Sequence, residues 1–203
     1  MTVLPQGVLD VDGNVYGTTT IGTQVWMTED LKTKKYKDGT GISYPGPDNI
    51  VWQNNTTGAY SWYNNNESIY KNPYGALYNW YAVNTGKLCP VGWHVPTDPE
   101  WTILTTYLGG EGIAGGKLKE TGFIHWLSPN TGATNICGFN GLPGGYRNFD
   151  GIYHDIGFSS NYWSSTETNI NQAWHRSLMS EADDIARYYY SKNDGFSVRC
   201  IKD

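Results

Sequence analysis

The sequence predicts an α+β fold, in which two helices pack on a twisted, mostly antiparallel sheet with long ordered loops. β-type runs lie near both ends of the chain, and two helix-start signals lie between them. The 203 residues include 25 glycines, which favour turns over long helices. Aromatic residues make up 15% of the chain, so Trp and Tyr must supply much of the core.

A small β-ribbon is expected over residues 9–31. Asp12-Gly13 and Gly22-Thr23 are turn signals between β-type runs. The ribbon is expected to end at Trp26-Met27. Residues 33–70 and 111–160 follow no clear period and are predicted to be ordered loops. The first loop is expected to be held by its aromatic side chains, which are Trp52, Tyr60, Trp62 and Tyr63.

Asp10, Asp12 and Asn14 resemble the start of a calcium-binding loop. Ile21 stands at the position where such a loop carries its bidentate Glu. Asp and Asn also favour turns for their own reasons, so turn chemistry is the preferred interpretation. A structural calcium ion held by loop oxygens is left open.

Two helices are predicted in the middle of the chain. The first has Asn72 as its cap and Pro73 in its first turn. Its apolar face has i, i+3, i+4, i+7 spacing and consists of Tyr74, Leu77, Tyr78 and Tyr81. The second has Thr97 and Glu100 at capping-box spacing and ends at Gly109-Gly110. Its apolar stripe consists of Trp101, Leu104 and Leu108.

The C-terminal segment predicts an antiparallel meander rich in Tyr, Trp, His and Arg. Its β-type runs are Tyr162–Ser165, Ala173–Met179, Ile185–Tyr190 and Phe196–Ile201. Asp194-Gly195 is a strong hairpin signal between the last two runs. Side chains of these types make surface contacts as often as they fill a core, so the meander is the expected binding face.

Charge and composition exclude several classes of partner. The net charge is -5 and no basic run exists, which disfavours a nucleic-acid partner. No apolar run approaches the ~20 residues of a membrane span. A composition rich in Trp, Tyr, Gly and Asn with few charges suits an extracellular or cell-surface protein. No signal peptide stands at Met1, and a cleaved one is compatible with this expectation.

The cysteines stand at positions 89, 137 and 200 and form no C-x-x-C pair. The four His residues are scattered along the chain, so a tetrahedral zinc site is not expected. An odd number of cysteines allows one disulfide and one free thiol.

A series of ordered segments resembles the Fibrobacter succinogenes major paralogous domain family over about residues 9–203. The segments are DGNVY, IGTQVWMTEDLKT, YNWYAV, CPVGWHVPTDPEW, GFNGLPGGYR, YWSST and GFSVRCIKD. The resemblance implies one C-type lectin-like domain over 9–203 after an N-terminal tail over 1–8. It also implies kinship with the formylglycine-generating (sulfatase-modifying factor) enzymes, and a disulfide between Cys89 and Cys200.

The resemblance does not extend to the chemistry of these relatives. Formylglycine-generating enzymes bind copper with a Cys-His-Arg-Ser-x-Cys stretch, whose cysteine positions are Trp174 and Met179 in this chain. Neither residue is a thiolate, so oxidase chemistry and a copper or zinc site are not expected. The Glu-Pro-Asn, Gln-Pro-Asp and Trp-Asn-Asp motifs of calcium-dependent lectins are absent from the sequence. No cofactor is therefore expected.

The preferred function is a non-catalytic binding module outside the cell or on its surface. It is expected to recognise a glycan or protein ligand through the C-terminal sheet and loops, and the sequence does not separate these two ligands. Aromatic side chains supply contact area at low entropic cost, and amides adapt to many partners. The predicted contact residues are Tyr162, Trp163, Asn169, Asn171, Trp174, His175, Arg187 and Tyr189.

Two alternatives stay open. The first is a ligand-binding variable protein of a diversity-generating retroelement, phage-borne ones included. The positions that would suit codon randomisation are Asn161, Asn169, Asn171 and Trp174. The second is an enzyme of the sulfatase-modifying-factor type with altered chemistry. Its candidate residues are His94, Glu100, His175 and Asp183, and no spacing rule supports this set.

Overall fold

A computed structural model describes residues 7–203. Within them, the regular structure is mainly β: fourteen strands form three sheets, accompanied by five α-helices of four to ten residues. The predicted α+β, C-type lectin-like class with two helices is therefore wrong. Of the predicted tail 1–8, residues 1–6 lie outside the described part, and Val8 already pairs with Tyr16.

The elements have the following bounds. The strands are β1 (Val8–Leu9), β2 (Val15–Tyr16), β3 (Thr18–Ile21), β4 (Gln24–Met27), β5 (Tyr60–Ser61), β6 (Leu77–Asn79), β7 (Trp93–His94), β8 (Gly144–Arg147), β9 (Tyr153–Ile156), β10 (Ser159–Asn169), β11 (Gln172–Met179), β12 (Ala186–Ser191), β13 (Gly195–Phe196) and β14 (Ile201–Lys202). The helices are α1 (Asn49–Gln53), α2 (Glu67–Tyr74), α3 (Trp80–Val83), α4 (Asp98–Tyr107) and α5 (Glu111–Leu118), and a 3₁₀ turn spans Tyr63–Asn65.

The largest sheet has eight strands, in the order β12-β11-β10-β8-β13-β6-β5 with β9 paired to β8. Strands β10, β11 and β12 are antiparallel neighbours, whereas β10 meets β8 in parallel. Strand β12 is therefore an edge strand. A four-stranded sheet in the order β3-β4-β14-β7 brings both ends of the chain together, and β1 and β2 form a separate ribbon.

Aromatic side chains fill the core, as the composition predicts. The buried apolar residues form two clusters. Met27 and Trp163 belong to the first cluster, and their chain neighbours Trp26 and Tyr162 belong to the second. Successive side chains of a strand face opposite sides, so β4 and β10 each contribute to both clusters.

The local signals of the first ribbon and of α4 are confirmed. Asp12-Gly13 turns β1 into β2, and Gly22-Thr23 turns β3 into β4. Thr97 caps α4, and its side chain and that of Glu100 form the reciprocal hydrogen bonds of a capping box. These signals succeed because each depends on residues only a few positions apart.

The two acidic side chains of the first hairpin, Asp10 and Asp12, accept hydrogen bonds from other groups of the protein. The Asp10 carboxylate accepts hydrogen bonds from the backbone N–H groups of Asp12 and Asn14, from the Asn14 amide and from the Tyr16 hydroxyl. The backbone N–H of Lys34 donates to Asp12 Oδ2. Turn chemistry thus accounts for the Asp10 carboxylate, whereas the Asp12 carboxylate is bound by Thr33, Lys34 and Lys35 of a distant segment.

Residues 33–70 are irregular apart from α1, β5, the 3₁₀ turn and the start of α2. The four aromatics expected to hold this segment are all buried, and they are Trp52, Tyr60, Trp62 and Tyr63. The buried guanidinium of Arg147 lies 4.4 Å from the Trp52 ring centroid. Arg147 also donates to the carbonyl oxygen of Gly46, so the loop is fixed to β8.

The prediction of one helix over residues 72–83 is wrong, because two separate helices, α2 and α3, cover only its two ends. Helix α2 ends at Tyr74 and is capped by Gly75, whose φ of 70° is easily adopted by glycine. A Cβ there would lie 2.7 Å from the carbonyl oxygen of Leu31. Leu77–Asn79 then forms β6, paired with β5 and β13. Pairing with two strands outweighs the helical periodicity of this segment.

The predicted hairpin at Asp194-Gly195 is also wrong, although the three preceding runs do form the meander β10-β11-β12. The turn exists, but Gly195–Phe196 leaves the meander and inserts between β6 and β8 as β13. The Asn193 amide donates to the carbonyl oxygens of Gln53 and Asn55. Contacts from distant parts of the chain therefore set the direction of the chain after this turn.

The segment 111–160, predicted as a loop, contains α5, β8, β9 and the start of β10. Helix α5 packs closely on the loop that leads into β12. A Cβ on Gly115 would lie 1.8 Å from the carbonyl oxygen of Asp184, and one on Gly116 would lie 1.9 Å from Asp183 Oδ1. These two positions therefore exclude any side chain and hold the start of β12 in place.

Cys89 and Cys200 form a disulfide with Cα atoms 6.0 Å apart, the pair that the resemblance implied. Cys137 is the free thiol and is half-buried. The bond spans a sequence separation of 111 residues. It joins the segment before β7 to the segment before β14.

Replacing both Cys89 and Cys200 by Ala should lower the free energy of unfolding by about 4–5 kcal/mol, because the unfolded chain loses a long-loop constraint. Urea unfolding under oxidising conditions measures this change. Cys137→Ser is the control, since a hydroxyl can replace the thiol that donates to the carbonyl oxygen of Lys117. Equal unfolding free energies for wild type and the double variant would contradict the prediction.

Asp194 is a buried carboxylate in the turn before β13. Within residues 7–203, neither of its carboxyl oxygens has a hydrogen-bond partner of normal geometry. Burial raises the pKa of Asp194 to about 7, although the nearby backbone N–H groups of Phe149 and Ser191 lower it in part. The folded protein therefore holds a proton here that the unfolded chain, with a carboxyl pKa of ~3.9, releases.

This proton makes stability depend on pH. Between pH ~4 and ~7 the folded state binds more protons than the unfolded state, so the free energy of unfolding falls as the pH rises. Asn cannot ionise, so Asp194→Asn removes this fall in unfolding free energy. The replacement should therefore raise the melting temperature more at pH 8 than at pH 5. Thermal melting across this range tests the prediction, with Glu181→Gln, at an exposed position, as control. A pH-independent effect of Asp194→Asn would refute it.

Candidate functional site

The C-terminal meander presents two different faces. The register places His175 opposite Tyr188 and Trp174 opposite Tyr189. Because side chains alternate along a strand, these two pairs lie on opposite faces of the sheet. We call them the cavity face and the helix face. The cavity face carries Asn161, His175, Ser177, Tyr188 and Tyr190, and the helix face carries Trp174, Arg176, Arg187 and Tyr189.

A cavity of about 90 Å³ opens on the cavity face. Most of its wall is made of rings, which belong to Tyr146, Phe158, His175, Tyr188, Tyr190 and Phe196. Asp155 and Asn161 are among its polar lining residues. Pockets for whole small molecules measure ~300–1,000 Å³. This cavity therefore suits a single side chain or one chemical group of a larger ligand.

His175 lies deep in the cavity wall and is only 2% exposed. Its ring centroid is 4.7 Å from that of Phe196 and 4.9 Å from that of Tyr190. Burial lowers the pKa of His175 to about 3, and the charge of Arg176 adds to this effect. The imidazole is thus neutral at physiological pH. Its Nδ1 atom is buried and has no hydrogen-bond partner among the described residues.

The helix face is occupied by a network centred on Asp98 at the start of α4. Asp98 Oδ1 lies 3.0 Å from Arg176 Nη2, and Asp98 Oδ2 lies 2.7 Å from Arg187 Nη2. The Arg187 guanidinium also lies 3.5 Å from the Trp174 ring centroid. The Tyr189 ring meets Trp174 edge-on at 5.5 Å. This face therefore ties the meander to α4.

The structure distributes the predicted contact residues over different surroundings. Tyr162 and Trp163 are fully buried in the core, so they are not available for direct ligand contact. Strand β10 lies inside the sheet, and its two faces are covered by the two core clusters. His175 reaches the cavity, whereas the other predicted residues lie elsewhere. Trp174, Arg187 and Tyr189 lie on the helix face, and Asn169 and Asn171 lie exposed at the turn between β10 and β11.

The cavity also contains residues that the sequence reasoning missed. Tyr188 and Tyr190 flank Tyr189, and their exposed fractions are 50% and 43%. Strand alternation could have grouped these two with His175, since both share its face. No local signal could have placed Tyr146 or Phe196 beside them, because β8 and β13 reach this site through long-range pairing.

The alternative catalytic set is brought together only in part. His94 Nε2 lies 2.9 Å from Glu100 Oε1, and His94 Nδ1 lies 2.6 Å from Asp203 Oδ1. Burial opposes the charged form of His94, but the two carboxylates outweigh it and raise its pKa. His175 lines the cavity described above, which His94 does not line, and Asp183 packs on α5. Hydrogen bonds to Glu100, part of the capping box, explain His94 without catalysis.

Within residues 7–203, no group of three or more His, Cys, Asp or Glu side chains could hold a metal ion. In the same range no helix has the length and apolarity needed to cross a membrane.

A family model described as the Fibrobacter succinogenes major domain matches residues 19–202. The chain belongs to this family. The Fibrobacter succinogenes major domain thus covers the four-stranded sheet, the eight-stranded sheet and all five helices. No curated protein and no solved structure matches the chain.

Asp98→Asn should lower the free energy of unfolding by about 3–5 kcal/mol, because it leaves the fully buried Arg176 cation without a charged partner from α4. Arg187→Ala removes a partly exposed partner of the same carboxylate and should cost only ~1 kcal/mol. Urea unfolding of both variants tests this difference. Similar losses of unfolding free energy in the two variants would contradict the prediction, because they would show that the burial of Arg176 adds nothing to the cost of removing its partner.

Proposed function

We propose that this domain is a non-catalytic binding module, outside the cell or on its surface, that holds a glycan or protein ligand at the cavity face of its C-terminal sheet. The observation that carries the proposal is the pair of half-exposed rings, Tyr188 and Tyr190, beside a small aromatic cavity on an edge strand. Large rings around a pocket form the usual centre of a recognition surface. The Cys89–Cys200 bond supports the extracellular setting.

The size and chemistry of the site favour binding over catalysis. The cavity has room for one chemical group, and its His175 is neutral. Among the described residues, no carboxylate accepts a hydrogen bond from the His175 Nδ1 atom. A general base requires such an oriented partner. Among the described residues, this cavity therefore lacks the paired groups that acid–base chemistry uses.

Kinship with formylglycine-generating enzymes also remains a proposal, supported by the similarity of the VPTDPEW and GFSVRC segments. An active copper site is not part of it. Trp174 lies on the helix face, and Met179 lines the cavity on the opposite face of β11. Even two thiols at these positions would point to different sides of the sheet.

A variable protein of a diversity-generating retroelement is a variant of the same proposal. Asn169 and Asn171 are exposed at a turn, where substitution costs little stability. Asn161 instead is buried and lines the cavity. A second copy of this segment with adenine differences, next to a reverse-transcriptase gene, would support the variant, and its absence would remove it.

Replacing Tyr188 and Tyr190 together by Ala should weaken ligand binding at least roughly tenfold, since truncation of central aromatic residues commonly costs over 1 kcal/mol. A glycan array and a panel of purified surface proteins identify the ligand, and calorimetry measures its affinity. Tyr107→Ala is the matched control, because Tyr107 is an exposed ring on α4. Melting temperatures establish that both variants fold.

Two outcomes would contradict the proposal. One is a ligand whose affinity is unchanged by the double replacement but reduced by Tyr107→Ala. The other is absence of any glycan or protein ligand together with chemical turnover of a substrate.

A further inference from the structure

The cavity combines aromatic walls with a single acidic group. Among its lining residues Asp155 alone carries a formal charge, because His175 is neutral. Asp155 is exposed, near the end of β9, so its carboxylate lies at the mouth of the cavity. No lysine or arginine lines the cavity.

The rings of the wall form one connected group around Phe196. Its centroid lies 5.8 Å from that of Tyr146 and 5.9 Å from that of Tyr190. The His175 ring lies 6.2 Å from Tyr188, which closes the wall on the side of the edge strand. Aromatic rings carry partial negative charge on their faces and attract cations within about 6 Å.

The charges near the cavity also favour a cation over an anion as the bound group. Burial raises the pKa of Tyr146 to about 12, and the negative charge of Asp155 contributes to the rise. Arg176 and Arg187 belong to the same strands as the cavity wall, but they lie on the helix face and pair with Asp98. They therefore lie behind the cavity wall, and Asp98 neutralises part of their charge.

We infer that the cavity binds an alkylammonium group, such as a lysine side chain or a quaternary ammonium head group. The inference rests on the proposed function, because it names the chemical class of ligand for the same site. The rings attract the cation, and Asp155 supplies the opposite charge at the mouth.

The size of the cavity agrees with such a group. A volume of about 90 Å³ corresponds to roughly three water molecules. That space takes an ammonium group with its last methylenes or its methyl substituents. It is too small for a whole sugar-based or nucleotide ligand of the kind that fills typical pockets.

Three probes test the inference on the intact domain by calorimetry or by chemical-shift titration. They are choline, its neutral isostere 3,3-dimethylbutan-1-ol, and Nα-acetyl-lysine N-methylamide, which keeps a free ε-ammonium group. Choline should bind roughly tenfold more tightly than the isostere, because only the cation gains the ring and carboxylate attraction. Preference for choline over the lysine probe would indicate a quaternary head group, and the reverse would indicate a peptide lysine.

Two matched pairs of variants locate the effect. Asp155→Asn should weaken choline binding roughly tenfold, and Asn tolerates the φ of 64° at this position. Glu181→Gln removes an exposed carboxylate outside the cavity and should have no effect. Tyr190→Leu should weaken binding, whereas Tyr189→Leu, on the opposite face, should not.

Equal affinities for choline and the neutral isostere, or no binding of either cation at millimolar concentration, would overturn the inference. Neither outcome would affect the proposed function, which is judged by loss of the array ligand when Tyr188 and Tyr190 are replaced together. Conversely, binding of choline that depends on Asp155 would sustain the inference even if no glycan on the array binds.

Discussion

The buried ion pair between Asp30 and Arg199 links the N-terminal and C-terminal parts of the fold. Both side chains are almost fully buried, and the guanidinium also donates to the carbonyl oxygens of Met27 and Phe139. Met27 belongs to one core cluster and Phe139 to the other. A buried cation is tolerated only when its partners are in place, so Arg199 links the packing of the two clusters.

The sequence could predict those parts of the fold that depend on neighbouring residues. The Asp12-Gly13 turn and the Thr97 capping box belong to this class. It could not predict that Gly195–Phe196 would insert between two distant strands, because that position is set by pairing with Asn79 and Arg147. The helix predicted from the spacing around Tyr78 is wrong for the same reason, since pairing with a strand on each side outweighs the helical periodicity.

In the candidate site, too, some features follow from neighbouring residues and others from distant ones. The aromatic composition of the meander indicated the region in which the cavity lies, and strand alternation places Tyr188 and Tyr190 on one side of the sheet. Which face packs on α4 depends on Asp98, which pairs with Arg176 and Arg187. No local signal could have predicted this pairing, because Asp98 and Arg176 are 78 positions apart in the sequence. The helix face keeps some open surface, since Tyr189 is 53% exposed there.

The contact of Gly115 and Gly116 with the loop before β12 has a consequence for how this domain can evolve. Any side chain at either glycine would displace the loop and shift the edge strand, so these positions tolerate little change. Tyr188 and Tyr190 extend from that same strand into solvent, where most substitutions alter stability little. Mutation can therefore change the side chains at the rim of the cavity while the scaffold beneath it is inherited unchanged.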